Sequence, residues 1–183
     1  MTLLLAACGG AQAPAAAPAA QGPRPGDSFA ALATYNDTTN KFRIDVPASW
    51  RAQPQKPTQE NMKAATAFVG PEGFISVAQF DWGTTPSEQA TQLIDYFFQV
   101  TGVTQNKNYK ELARLPSSPT VVWVEMEYTN AQNRPLHTLA QLRIDGTRIS
   151  VISASFNQDA WPRAVDTAKQ IINSYVLTDN KSG

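Results

Sequence analysis

From about Tyr35 onward, apolar and polar side chains fall into regular periods. Phe42, Ile44 and Val46 alternate with Arg43 and Asp45, the spacing of a strand with one buried face, and Pro47 closes it. Residues 66–69 and 75–80 form two more short strand candidates around Gly70-Pro71-Glu72-Gly73, a strong turn signal. A helix is predicted next. Thr85 caps it, Pro86 takes its first position and Glu88 completes a Thr-x-x-Glu capping box. Ala90, Leu93, Ile94, Phe97 and Thr101 keep helical spacing until Gly102 ends the run. The adjacent rings of Phe97 and Phe98 read as core packing, not as a ligand box.

Three strands follow, at 109–115, 121–128 and 136–144. In the second, Val122, Val124, Met126 and Tyr128 share one face, and Val121, Trp123, Glu125 and Glu127 the other. Asp145-Gly146 is the expected two-residue hairpin turn into a strand at 148–156. A last helix starts near Asp159 with Pro162 in its first turn, and Trp161, Val165, Ala168, Ile172 and Tyr175 form its buried stripe. A short strand, 176–178, closes the domain. Strands, helix, meander, helix is the order of an α+β fold: one mainly antiparallel sheet covered by helices, in a single domain over 34–180.

The first thirty residues have no such period. Residues 9–20 are nearly all Ala, Pro, Gly and Gln, which have little to bury and cannot offset their ordering entropy, so 8–33 is expected to be a flexible tether. Before it stands Leu3-Leu4-Leu5-Ala6-Ala7-Cys8-Gly9-Gly10, holding the only cysteine. An apolar run, small residues and then cysteine resembles the lipobox of bacterial lipoproteins, in which the thiol receives a diacylglycerol and the preceding segment is cleaved. On that resemblance Cys8 is the lipidation site, residues 1–7 are a signal-peptide remnant, and the domain lies outside the cytoplasm on a lipid anchor. Only Met1 and Thr2 precede the leucines and neither is basic, so the translation start is expected upstream.

Charge narrows the partners. Lys and Arg total 15 and Asp and Glu total 15, with no basic run, so the surplus positive charge that displaces counterions from phosphates is missing and nucleic acid is excluded.

The stretch Tyr35-Asn-Asp-Thr-Thr-Asn-Lys-Phe-Arg-Ile-Asp-Val-Pro-Ala-Ser-Trp50 resembles the opening of the PsbP family, the extrinsic proteins of photosystem II. The likeness continues in order through Thr66-Ala-Phe-Val-Gly-Pro, Phe74-Ile-Ser-Val, Pro86-Ser-Glu, His137-Thr-Leu-Ala, Asp145-Gly-Thr-Arg and 149–155. It ends on Trp161 and Ile171-Ile172-Asn173-Ser174-Tyr175, where the family usually has Ser-Phe. It implies a docking scaffold without fixing a partner. Pro47 and Trp50 are read as a strand end and a core plug.

Reactive constellations are sparse. There is no Gly-x-Ser-x-Gly, no phosphate-binding Gly-x-x-x-x-Gly-Lys and no His-Glu-x-x-His, and His137 is the single histidine. If Val124 pairs with Ala140, His137 faces Glu127 across the strands with Glu125 nearby. A histidine and two carboxylates resemble a metal set, but one imidazole is thin for it, so no metal and no cofactor are expected and added zinc should leave the melting temperature unchanged.

The reading is therefore a non-enzymatic, membrane-tethered accessory subunit or assembly factor. It would bind protein subunits of a membrane complex, photosynthetic or respiratory, with loops 53–61 and 105–108 as contact regions. The alternatives are a carrier of a small apolar ligand or metal ion and, more remotely, a cryptic hydrolase. A filled core favours docking, and an apolar cavity between helix and sheet favours the carrier.

Overall fold

The computed structural model describes residues 22–24, 26–39 and 41–178. Its chain order is β1 (Leu32–Asn36), β2 (Phe42–Pro47), β3 (Arg51–Pro54), β4 (Met62–Gly70), β5 (Gly73–Asp81), α1 (Ala90–Thr101), β6 (Lys107–Ser118), β7 (Val121–Thr129), β8 (Pro135–Asp145), β9 (Arg148–Asn157), α2 (Trp161–Ser174) and β10 (Val176–Leu177). Seven strands form one sheet in the order β3-β4-β5-β9-β8-β7-β6, and β1, β2 and β10 form a small second sheet. Every pairing is antiparallel. The α+β expectation stands: a mainly antiparallel sheet with one helix against each face.

Period-two alternation splits the large sheet into two separate cores. One face carries Phe68, Ile75, Val77, Leu139, Ile152, Ala154 and Phe156, packed under α2 and the small sheet. The other carries Phe80, Val122, Val124, Met126, Tyr128, Ala140, Leu142 and Ile149 under α1. The α2 face is the more fully clad. Phe42, Ile44 and Val46 of β2 face it while Arg43 points out, as the alternation requires. Arg143 of β8 reaches the far end of α2, donating to Ile172 O at 3.0 Å and Tyr175 O at 3.2 Å, and so adds to the C-cap, where the Tyr175 N–H also meets Ile172 O. Burial holds this guanidinium below the ordinary arginine range.

Several boundaries differ from the sequence reading. The packed body begins before residue 34: Phe29 has no exposed surface and meets Phe156 edge-on at 5.3 Å. Asp27 forms a two-pronged pair with Arg163 of α2, at 3.1 and 3.2 Å. One phenyl ring inside a polar run gives no period, so nothing flagged it. Helix α1 starts at Ala90, not near Pro86. Gln92 Oε1 accepts the Gln89 N–H at 3.0 Å, and the Ala90 N–H is taken by Pro119 O at 2.8 Å, so the reciprocal cap forms four residues late and is fixed by a tertiary contact. The β8–β9 loop is Gly146-Thr147, since Asp145 still pairs with Arg148, and Gly146 supplies the positive φ of 60°. Both β1 and β3 are short strands without a clear alternation and went unpredicted.

Two glycines at the β4–β5 turn are steric requirements. A Cβ on Gly73 would stand 2.0 Å from Ser155 O, and one on Gly70 would fall inside 2.5 Å of the Trp50 indole. Trp50 itself is 6% exposed, rests against Phe156 and donates its indole N–H to Ser28 Oγ at 2.7 Å. It plugs the core, as read from sequence.

Candidate ligand-binding site

Cys8 and residues 1–21 lie outside the described residues, so the lipidation site has no structural account. The described candidates sit one on each face of the sheet.

On the α2 face the register pairs Val124 with Ala140 and Glu127 with His137, placing Glu125 one diagonal step away. His137 is 7% exposed and stacks on the Trp161 indole, ring centroids 4.0 Å apart and planes 12° from parallel. Its Nε2 lies 2.6 Å from Glu125 Oε1 and its Nδ1 3.1 Å from Glu127 Oε1. Gln158 Nε2 donates to the same Glu127 oxygen at 3.2 Å. The three predicted side chains are thus together, but the two carboxylates hold opposite edges of the ring. With the carboxylates on opposite edges of the ring, no group of three metal-ligating side chains among the described residues converges on a point. What this cluster does is fasten β7 and β8 to the first turn of α2.

The α1 face is different. Helix α1 covers its β6–β7–β8 side, where Leu93, Ile94, Phe97 and Phe98 bury against Val122, Val124 and Met126. Beyond the helix, β5 and β9 present small residues to that face, Ser76, Ala78, Val151 and Ser153, all only partly buried. Small side chains under a helix that stops short leave space: a cavity of about 290 Å³. Its deep wall is Phe80, Phe97, Phe98, Met126, Thr138 and Ala140, each under 6% exposed, and its rim includes Met62, Phe74, Val103 and Asn106. No charged residue lines it. Its serine and threonine hydroxyls are engaged, Ser76 Oγ with Ser153 Oγ at 2.7 Å, Thr138 Oγ1 donating to Ser155 Oγ at 2.8 Å and Thr101 Oγ1 donating to Phe97 O at 2.7 Å. The surface offered to a guest is therefore effectively apolar.

One ion-pair group fixes the cavity roof. Arg114 of β6 donates to Asp95 of α1 at 2.6 and 3.0 Å, to Glu111 at 2.8 Å and to the Thr91 carbonyl at 3.2 Å. Hydrogen bonds donated to Asp95 first, then to Glu111, hold Arg114 above the ordinary arginine range, and the Arg114 guanidinium holds Asp95 below the usual carboxylate range. Sequence reading named Phe97 and Phe98 as core, and they are. It missed that the same rings wall a void, because a void is written in the residues that are too small to fill it.

No protein-family model matches the chain, and no curated protein matches it in sequence. Solved structures do. A protein from Bacteroides thetaiotaomicron superposes with a TM-score of 0.52 at 8% identity, over 80% of this chain and 48% of that one. Cyanobacterial PsbP from Synechocystis superposes with a TM-score of 0.57 at 16% identity, over 86% of this chain and 98% of that one. At these identities the likeness is one of fold: this chain has a PsbP-like fold.

Proposed function

We propose that this chain is a non-enzymatic, extracytoplasmic binding protein that carries a small apolar molecule in the chamber between α1 and the sheet. One observation carries the reading: an uncharged chamber of about 290 Å³, walled by Phe80, Phe97, Phe98 and Met126, on a sheet face left incompletely covered. That volume sits at the lower end of small-molecule sites, roughly 300–1,000 Å³, so an acyl chain or one small ring system fits and a larger cofactor does not. A tether ending at Cys8 is supported by the lipobox-like run and would hold the carrier at a membrane, where apolar cargo is concentrated. The absence of catalysis is supported by His137, the single histidine, being held at both nitrogens by carboxylates.

The test is titration with a neutral naphthylamine dye that fluoresces when desolvated. Saturable binding with one site is expected, and Ala78→Phe, which fills the chamber from its rim, should weaken it at least tenfold. No saturable binding, or equal binding by the filled variant, refutes the carrier. Intact-mass analysis of the native protein tests the tether: a diacylglyceryl adduct on Cys8 is expected, and a bare thiol removes that part.

The docking reading keeps one supporting observation. Leu115 and Leu112 of edge strand β6 are 64% and 38% exposed, an apolar strip that a protein partner would cover. Mild cross-linking in native membranes would recover a constant companion on that reading, and Leu115→Glu would release it.

A further inference from the structure

The chamber has a neighbour at its rim. Phe74, Asn106 and Tyr128 line it and also line a second hollow at the end of the sheet, so the two adjoin across these three side chains. This outer hollow is about 550 Å³ and is more polar than the chamber: Asn130, Gln132, Arg134 and Asn157 supply polar groups beside Val69, Phe74 and Leu136, and no acidic residue lines it. Arg134 is its one charge. Its guanidinium is exposed and enters no ion pair among the described residues, unlike Arg114 and Arg163, which are both bound by aspartates. The turn that presents it is built, not slack. Asn130 Oδ1 accepts the backbone N–H of Gln132 and of Arg134, each at 3.0 Å, and Asn133 holds a left-handed φ of 56°.

An uncharged apolar chamber that adjoins an acid-free vestibule with one unpaired guanidinium is complementary to one chemistry. We propose that the cargo is a single-chain amphiphile with an anionic headgroup, of the fatty-acid class. Its chain lies in the α1 chamber and its carboxylate meets Arg134 and the side-chain amides of Asn130 and Gln132, which line the hollow with it. This rests on the carrier reading and adds the headgroup to it. A guanidinium suits the role because it offers a planar pair of donors to a carboxylate. The chain end supplies affinity, about fourfold for each methylene buried, until the chamber is full.

The experiment displaces the neutral dye with decanoate, decanol and methyl decanoate, three guests with matched chains. Decanoate should displace at least tenfold more effectively than the methyl ester, and added salt should narrow that gap. Arg134→Ala should erase the preference for the acid while leaving dye affinity unchanged, and Arg134→Lys should keep part of it. Arg134 is exposed, so these variants are expected to fold, and their dye binding verifies it. Equal displacement by acid and ester, or a preference that survives Arg134→Ala, overturns the headgroup assignment and leaves the carrier standing. Failure of decanoate to bind by calorimetry overturns the amphiphile outright. Dye binding that Ala78→Phe does not touch removes the carrier instead.

Discussion

The two faces of one sheet have been treated in opposite ways. Against the α2 face lie a helix, a second sheet and the segment around Phe29, and side chains there are nearly all sealed. Against the α1 face lies one twelve-residue helix that stops short, over strands that present Ser76, Ala78, Val151 and Ser153 beyond it. Both faces follow the same alternation rule, so hydrophobic patterning does not tell them apart. Side-chain volume does: protein interiors pack at crystal-like density, and a face lined with small residues reaches that density only if something else fills it. The difference teaches that one face serves stability and the other is available for a guest.

The contrast can be broken most forcefully on the sealed side. Trp161→Ala removes the ring stacked on His137 and opens the α2 core, and should cost about 3–5 kcal/mol, read as a fall in the urea midpoint. A matched pair of enlargements sharpens the comparison. Ala164→Leu, at a site with no exposed surface on α2, should cost about 1–3 kcal/mol by overpacking. Ala78→Leu, on the chamber rim, should stay within about 0.5 kcal/mol of the parent. Equal penalties would show that the chamber is not there in solution.

Loosening the roof is a smaller change. Arg114→Ala frees α1 from β6 and should lower stability by about 1 kcal/mol or less, since Asp95 is largely exposed. Its clearer sign should be faster amide exchange confined to α1. The smallest effect is electrostatic. The hydrogen bond from Arg163, then the Arg24 backbone N–H, holds Asp27 below the usual carboxylate range. Its contribution is complete above the unfolded value, near pH 4, and is lost as pH falls through the lower folded value. Asp27→Asn should therefore flatten the acid limb of the stability curve without altering stability against salt-independent burial on the α1 face.

Much of this was legible because period and register are local properties. Alternation placed β2, β4, β5, β7, β8 and β9, and parity along β7 and β8 brought His137 opposite Glu127 once the pairing of Val124 with Ala140 was assumed. What escaped was tertiary. The start of α1 is set by Pro119 from a turn thirty residues on, and the chain's entry is set by Phe29 meeting Phe156. A cation site was weighed at His137 from strand parity, and the register does bring Glu125 and Glu127 beside it, on opposite edges of the ring. The chamber had a signal, Ser76 and Ala78 facing Ser153 and Val151, but small residues in strands read as weak strands until their common face is known.

The entry of the chain has a mechanical meaning. Asp27 clipped to Arg163 and Phe29 driven into the sealed core make a strain relief, like the collar where a cable enters a housing. A pull on the chain ahead of Asp27 would load an ion pair and an aromatic contact together. The chamber lies across the sheet from that collar, so a load borne at Asp27 and Phe29 bypasses its doorway.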